Sequence, residues 1–415
     1  MEVIRKLPWT NVLHSQLGRI AKMTMQLDQL SAEEIGNRLR LARDAAKLKQ
    51  SEVAEKLDIA RTTLVAIEQG QRRARVAEIR RLARLYGTSI NALLRTEAVV
   101  TDLAPQFRKQ YGRQDDAAEH AAELLAELAQ AEVELENLLG IRRSRNYPPE
   151  RPILPGDVRV QAEHDALELR QWLGLGFNPV TDIITLLELQ LGVRVYIRRL
   201  DARVAGLFAF DEALGACMLI NASHPRERRT QTAAHETAHF ISARRRVEIL
   251  EERENINSKE ERYANAFARA FLTPSPAVKQ KFKELTAGAE KLTRRHVVVL
   301  AHFFGVSREA MVRRLEELNL TRDGTWDWFA AYGGITDEQA QQVLGDLSGP
   351  DMHKADADRP TTLRLGLLAA EVSQQELLSE GQLSRLLHLD RVELRRMLDG
   401  LQIEGSEADG AILPQ

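Results

Sequence analysis

The sequence predicts a mainly α protein with a small antiparallel sheet near its middle (α+β), and three observations carry that reading. Leu, Ala, Glu and Arg dominate while aromatic residues make up only 5% of the chain, a helix-forming composition. Apolar residues recur at three- and four-residue steps over most of the 415 residues, the period of amphipathic helices. Only residues 193–221 break into short runs rich in β-branched and aromatic side chains, as strands do.

The composition also narrows the function. A hydrophobic share of 44% and a charged share of 28% are ordinary for a globular protein. A single cysteine, Cys217, excludes an internal disulfide framework and a cysteine-based zinc ribbon. There is no apolar run near 18 residues and no apolar core at the N-terminus, so neither a membrane span nor a secretory signal is expected. The expected setting is cytoplasmic, with no membrane partner. The net charge of −2 hides an asymmetry. Residues 31–95 hold 14 Lys/Arg against 8 Asp/Glu, whereas residues 115–140 hold eight acidic residues and no Lys or Arg. A basic block followed by an acidic one suggests two units with different roles.

Residues 33–94 read as four short helices. Their apolar positions are Ile35, Leu39 and Ala42, then Val53, Ala54 and Leu57, then Leu64 and Ile67, then Ile79, Leu82 and Leu85. Ser51 is a candidate N-cap for the second helix, and Gly70 and Gly87 end the third and fourth. The tract 48–72 has helix–turn–helix spacing, with Asp58-Ile59 at the turn. Arg61, Thr62, Thr63 and Ala66 then face outward at the start of the second helix, where such motifs enter the major groove. Arg61 suits guanine, and the threonines suit a base edge or thymine methyl. Gln50, Ser51, Arg72 and Arg73 are expected to contact phosphate.

Residues 116–140 read as one acidic helix with Leu124, Leu128, Leu135 and Leu138 as its stripe, a linker or dimer helix. The Pro- and Arg-rich stretch that follows (142–155) reads as a connector and domain boundary. It could pair with the acidic helix as a gate between domains. Helices are expected at 161–173 and 180–191, strands at 193–199, 204–210 and 216–221, and helices again from about Arg228.

One of those later helices carries HETAH at 235–239. Histidines four apart share a helix face, so His235 and His239 can ligate one zinc ion while Glu236 reaches a bound water as general base. A catalytic site needs a third ligand. In 258–274, Glu261 and Asn265 lie four apart on one face, so Glu261 can complete the set and Asn265 can hold a histidine's second nitrogen. Glu260, a quarter-turn away, ranks second. Tyr263, His296 and His302 are candidates by type alone for an oxyanion stabiliser.

Two resemblances rest on these residues. The tract TTLVAIEQG, with Glu68 and Gly70, resembles the Cro/C1-type (XRE) helix–turn–helix domain, which implies binding of a double-stranded DNA operator as a homodimer. The order of strands, TAAHETAHF and then an E-x-x-A-N-x-F-A helix resembles the ImmA/IrrE family of gluzincin-like metallo-endopeptidases. So does the upstream segment with Ile220-Asn221 and Arg228. This resemblance runs from about 160 to 320 and places zinc ligands at His235, His239 and Glu261 and the catalytic glutamate at Glu236. Zinc is the expected metal, with manganese as the alternative. Where the family commonly carries Leu-Gly inside the motif, this chain has Thr237-Ala238, which puts helix packing in doubt more than chemistry.

The expected organisation is an N-terminal extension (1–32), a DNA-binding domain (33–95), a linker helix and connector (96–155), a metallopeptidase domain (156–320) and a C-terminal helical region (321–415). A second helix–turn–helix-like element at 296–320 is expected to engage substrate or to pack. Residues 379–401 have a similar flavour, and the tail from Ile403 reads as disordered. The resemblance implies a transcriptional regulator that cleaves a protein partner, a small helix–turn–helix repressor or a toxin, in a stress, phage-defence or mobile-element response. The alternative is a non-proteolytic antitoxin or autorepressor that uses the zinc fold as a sensor or docking surface. A third reading is a latent switch, activated by a ligand, single-stranded DNA or a change of metal.

Overall fold

A computed structural model describes residues 31–88, 93, 116–244, 248–251, 258–345 and 361–401. Contacts divide the chain into two compact units, Met1–Val100 and Thr101–Gln415. Residues 1–30, most of 89–115 and the tail expected from Ile403 lie outside the described residues.

The first unit contains α1 (Ala32–Ala45), α2 (Gln50–Leu57), α3 (Arg61–Glu68) and α4 (Val76–Tyr86). Ser31 starts α1 through a capping box with Glu34. Helix α2 starts two residues earlier than an N-cap at Ser51 would place it. Lys49, not Ser51, is its N-cap, and Glu52 accepts the Lys49 backbone N–H at 2.9 Å. Asp58 makes the turn in the left-handed conformation at φ 53°, which Asp tolerates better than most residues. Ile35, Leu39, Val53, Leu64, Ile67, Ile79 and Leu82 fill the core. Helices α1 and α3 meet backbone to backbone at Gly36, where an added Cβ would lie 2.3 Å from the Ile67 carbonyl oxygen.

The second unit is built on a four-stranded sheet. Its strands are β1 (Arg194–Arg198), β2 (Val204–Asp211), β3 (Gly215–Asn221) and β4 (Glu248–Glu251), in the order β1-β3-β2-β4. The sheet is mixed, not wholly antiparallel as expected: β1 runs parallel to β3, while β2 is antiparallel to β3 and β4. The hairpin is β2–β3, with Asp211 accepting from the turn amides of Ala213 and Leu214. The short loop after β1 therefore crosses the end of β3 to reach β2. Asn221 pins that crossing: its amide donates to the carbonyls of Leu200, Asp201 and Val204, and its oxygen accepts from Leu200 and Ser223.

Both faces of the sheet are covered, which explains its unbroken apolar runs. One face packs on α8 (Arg226–Ser242), supported by α6 (Val158–Trp172) and α9 (Lys259–Leu272). Phe208, Met218, Ile220, Phe240, Phe267 and Phe271 lie in this core. Burying each aromatic there contributes about 1.5–3 kcal/mol. Between α6 and β1, α7 (Ile183–Thr185) continues into a π-helical turn, Leu186–Leu191.

The other face packs on α5 (Asp116–Leu139), the acidic helix expected to be a linker. Its inward side is rich in alanine, with Ala118, Ala121, Ala122 and Ala129 buried beside Leu125, Leu128 and Leu135. The connector after it is bound along the same unit. Asn146 N–H donates to Leu191 O and Arg151 N–H to Ile241 O. The compact units therefore divide at Val100/Thr101, not in the Pro- and Arg-rich stretch. The expected pairing between acidic helix and connector does occur, inside this unit. Arg143 reaches Glu132 at 2.6 Å and Glu136 at 3.4 Å, and Arg194 of β1 reaches the same two carboxylates at 3.2 and 2.7 Å.

The remaining helices are α10 (Ser275–Leu285), α11 (Arg294–Phe304), α12 (Arg308–Glu317), α13 (Thr325–Ala331), α14 (Asp337–Leu344), α15 (Leu363–Gln374), α16 (Glu380–Leu386) and α17 (Arg391–Leu401). The α11–α12 pair is not an open reading head. Its outer side carries α13 and α14 over a small core of Val297, Val298, Val312, Phe329 and Ile335. Arg313 and Arg308 of α12 pair with Asp327 and Asp337 of those helices. Helix α15 packs on α5, and Arg364 enters the buried cluster at 2.8 Å from Glu136. Among the described residues, no helix is long and apolar enough to cross a membrane.

Candidate metal centre

Helices α8 and α9 bring three chemistry-bearing side chains to one point. His235 and His239 are separated by one turn of α8 and are almost fully buried. Their Nε2 atoms lie 3.1 Å apart. Glu261 stands in the first turn of α9, its backbone N–H held by the N-cap Ser258 at 3.0 Å. Its two carboxylate oxygens lie 3.3 Å from His235 Nε2 and 3.4 Å from His239 Nε2.

These spacings suit a shared cation. Ligands at 2.0–2.1 Å on a tetrahedron are about 3.3 Å apart, close to the 3.1, 3.3 and 3.4 Å separations of the three donors. Asn265, one turn beyond Glu261, places Oδ1 at 3.2 Å from His235 Nδ1. An amide oxygen only accepts, so Nδ1 carries the proton and Nε2 keeps its lone pair for a metal. Among the described residues, these three are the cluster able to hold a metal ion.

The electrostatics agree with that reading. Burial pushes the His235 imidazole below its ordinary value, which keeps it neutral, as a ligand must be. Burial alone would raise the Glu261 carboxyl, but the two imidazoles beside it outweigh burial and bring it down to about 2. The third ligand is therefore ionised. Glu236 lies between the histidines and is fully buried, on the side of α8 that meets β2. Thr237 donates to the Ala233 carbonyl at 2.7 Å, and both Thr237 and Ala238 are fully buried. The Thr-Ala variant of the motif is thus a packing feature of α8. Glu260 is not part of the cluster.

The oxyanion candidates are not gathered here. Tyr263 donates its hydroxyl to Asp165 of α6 at 2.8 Å, and His296 belongs to the N-terminal cap of α11. Sequence reasoning also missed Arg170. Fully buried on α6, it donates to the carbonyls of Gly176, Asn178 and Phe271, the last near the C-terminal end of α9. Its side chain ties α6 to the helix that carries Glu261.

In the first unit, Arg61 and Thr62 are exposed and Thr63 is half-exposed at the start of α3. Ser51 and Arg73 are also exposed. Gln50 and Arg72 are engaged within the protein. Gln50 donates to Glu68 at 2.8 Å, and Arg72 forms a two-pronged pair with Glu78 at 2.8 and 3.2 Å.

Two family models match the chain. The model described as a helix-turn-helix domain covers residues 34–95, and the model described as an IrrE N-terminal-like domain covers 189–316. The chain carries a helix–turn–helix domain fused to an ImmA/IrrE domain. No curated protein matches it at a significant level. The ImmA/IrrE match runs from the π-helical turn to α12 and includes all three donors and Glu236. Helices α5 and α6 lie outside it, yet α5 covers the back of its sheet and α6 packs along α9. The fold is metallopeptidase-like, and the chain joins this domain to one of a DNA-binding type.

Proposed function

We propose that this protein is a transcriptional regulator whose second unit is a site-specific zinc endopeptidase. The observation that carries the reading is the donor triangle of His235, His239 and Glu261, with a carboxylate, Glu236, between the two histidines on the same helix. A structural metal site has no use for that carboxylate, whereas hydrolysis needs a base beside the metal. Zinc bound there would acidify a water and polarise the scissile carbonyl. His235, oriented by Asn265, and His239 would hold it together with Glu261. Glu236 would take the proton from the attacking water and deliver it to the leaving amine. Burial of Glu236 keeps bulk water from competing for that proton.

The helix–turn–helix unit would bring this activity to an operator. Arg61, Thr62 and Thr63 would read bases, while Ser51 and Arg73 would contact phosphates. Gln50 and Arg72 would act indirectly, by fixing Glu68 and Glu78. A homodimer on a palindromic site and a small DNA-binding repressor or toxin as substrate are parts of the same reading. The test compares new protein N-termini in cells expressing the wild type or Glu236→Gln. Wild type should generate at least one cleavage product that Glu236→Gln does not. Identical sets would sink the peptidase reading in favour of a binding role.

A further inference from the structure

We infer that Gly206 is a positioning residue for Glu236, acting through Thr232. The inference rests on the peptidase reading of Glu236 as the base.

Gly206 stands in the middle of β2, in register with Ile220 of β3 and Leu250 of β4. Its neighbours Ala205, Leu207 and Phe208 are fully or nearly fully buried. Glycine weakens a strand interior, so its place there needs a reason such as a close approach. The close approach is to α8. A Cβ at 206 would lie 2.6 Å from Thr232 Cγ2, 3.1 Å from Leu219 O and 3.6 Å from Glu236 Oε1. The bare backbone of β2 therefore forms the floor under the Glu236 carboxylate. Thr232 and Glu236 sit one turn apart on the same side of α8. The two histidines sit on its adjoining side, toward α9.

The strand is also irregular at this point. Against β4 the register runs Val204 to Glu251 and then Gly206 to Leu250, two steps on β2 for one on β4. Bulges of this kind bend a strand and re-aim what packs on it. The missing side chain and the bulge coincide beneath one functional carboxylate. A methyl group at 206 cannot be accommodated without moving Thr232, since 2.6 Å is far inside carbon–carbon contact. A shift of α8 that clears Thr232 carries Glu236, one turn on, with it. The metal ligands are held from the other side by α9 and are displaced less. An error of roughly 1 Å in a catalytic group costs about 100-fold in rate. Gly206→Ala should therefore separate metal binding from hydrolysis. Thr232→Ser removes the methyl group that collides, so the double variant should recover.

The test uses the full chain loaded with cobalt(II), whose visible bands respond to groups facing the open coordination position. Glu236→Gln should change the bands with cobalt content unchanged. Gly206→Ala should change them in the same direction, again at wild-type cobalt content, and Gly206→Ala/Thr232→Ser should return them to wild type. The yield of cleaved N-termini should fall about 100-fold in Gly206→Ala and return in the double variant. Wild-type bands in Gly206→Ala, whatever its melting temperature, would overturn the inference and leave Gly206 a packing residue only. So would a Gly206→Ala chain that does not fold and is not restored by Thr232→Ser. Equal product sets in wild type and Glu236→Gln would sink the peptidase reading alone, because the cobalt spectra judge the position of Glu236 without substrate.

Discussion

Glu68 offers a quantitative test of how the DNA-binding unit is held together. Its side chain is 1% exposed and accepts from Arg43 Nε at 2.7 Å, Arg43 Nη2 at 3.1 Å and Gln50 Nε2 at 2.8 Å. It thereby joins α1, α2 and α3 at one carboxylate. Glu68→Ala leaves the buried Arg43 guanidinium with Asp44 and the Leu48 carbonyl as partners. Removing one partner of a buried ion pair costs about 3–5 kcal/mol, and the remaining Asp44 contact argues for the lower end. A unit of about 60 residues has a total stability of about 3–9 kcal/mol, so the loss approaches the whole. At 1.36 kcal/mol per tenfold change, a loss of about 3 kcal/mol lowers hydrogen-exchange protection about 100-fold. Exchange measured by mass spectrometry on the full chain should show that fall in peptides of α1–α4, with α8 and α9 unchanged. Protection within threefold of wild type in α3 would refute the argument.

Further outcomes are expected elsewhere. Arg61→Ala should cost about 1–3 kcal/mol of specific operator affinity in a mobility-shift assay at fixed salt, whereas Arg72→Ala should lower stability first, because its partner is Glu78. Asn221→Ala removes five hydrogen bonds at the β1–β2 crossing and should cost roughly 2–4 kcal/mol in urea unfolding. Burial pushes the Glu132 carboxyl up, but Arg143, Arg194 and the Tyr196 hydroxyl outweigh it and hold it below its ordinary 4.5. Its contribution is then complete above about pH 4.5 and is lost as pH falls through the lower folded value. Acid unfolding of the second unit should begin in that range, and Glu132→Gln should lower stability at pH 7 while flattening the acid limb. Chelation should lower the melting temperature of the second unit, since zinc at about 100 times its dissociation constant adds about 2.7 kcal/mol to the folded state. An unchanged melt would argue against a bound metal.

The site was more legible in the sequence than the fold around it. HETAH and the Glu261/Asn265 pair follow from helical spacing alone, because residues four apart share a face whatever the tertiary structure. Helix α5 was misjudged for the opposite reason. Its acidic residues suggest a solvated linker, yet Glu132 and Glu136 are the buried partners of Arg143, Arg194 and Arg364. The informative signal was its run of alanines, which allows close approach to a sheet. The parallel β1–β3 pairing depends on which strands form the tight hairpin, and the three apolar runs by themselves do not say which do. Strand β4 was missed because it is only four residues long, Glu248–Glu251. The role of Gly206 is invisible without knowing that β2 crosses α8 at Glu236. Gln50 and Arg72 look like phosphate ligands by type and spacing, and only the folded unit reveals Glu68 and Glu78 as their partners.

The central claim, one cation gripped by α8 and α9 with a base beside it, is tested most directly by crystals of the zinc-loaded protein. An anomalous difference map across the zinc absorption edge should show one peak, within about 2.0–2.1 Å of His235 Nε2, His239 Nε2 and a Glu261 oxygen, with its fourth side open toward Glu236. A peak that excludes Glu261, a site closed by a fourth protein ligand, or no peak at these histidines would contradict the account.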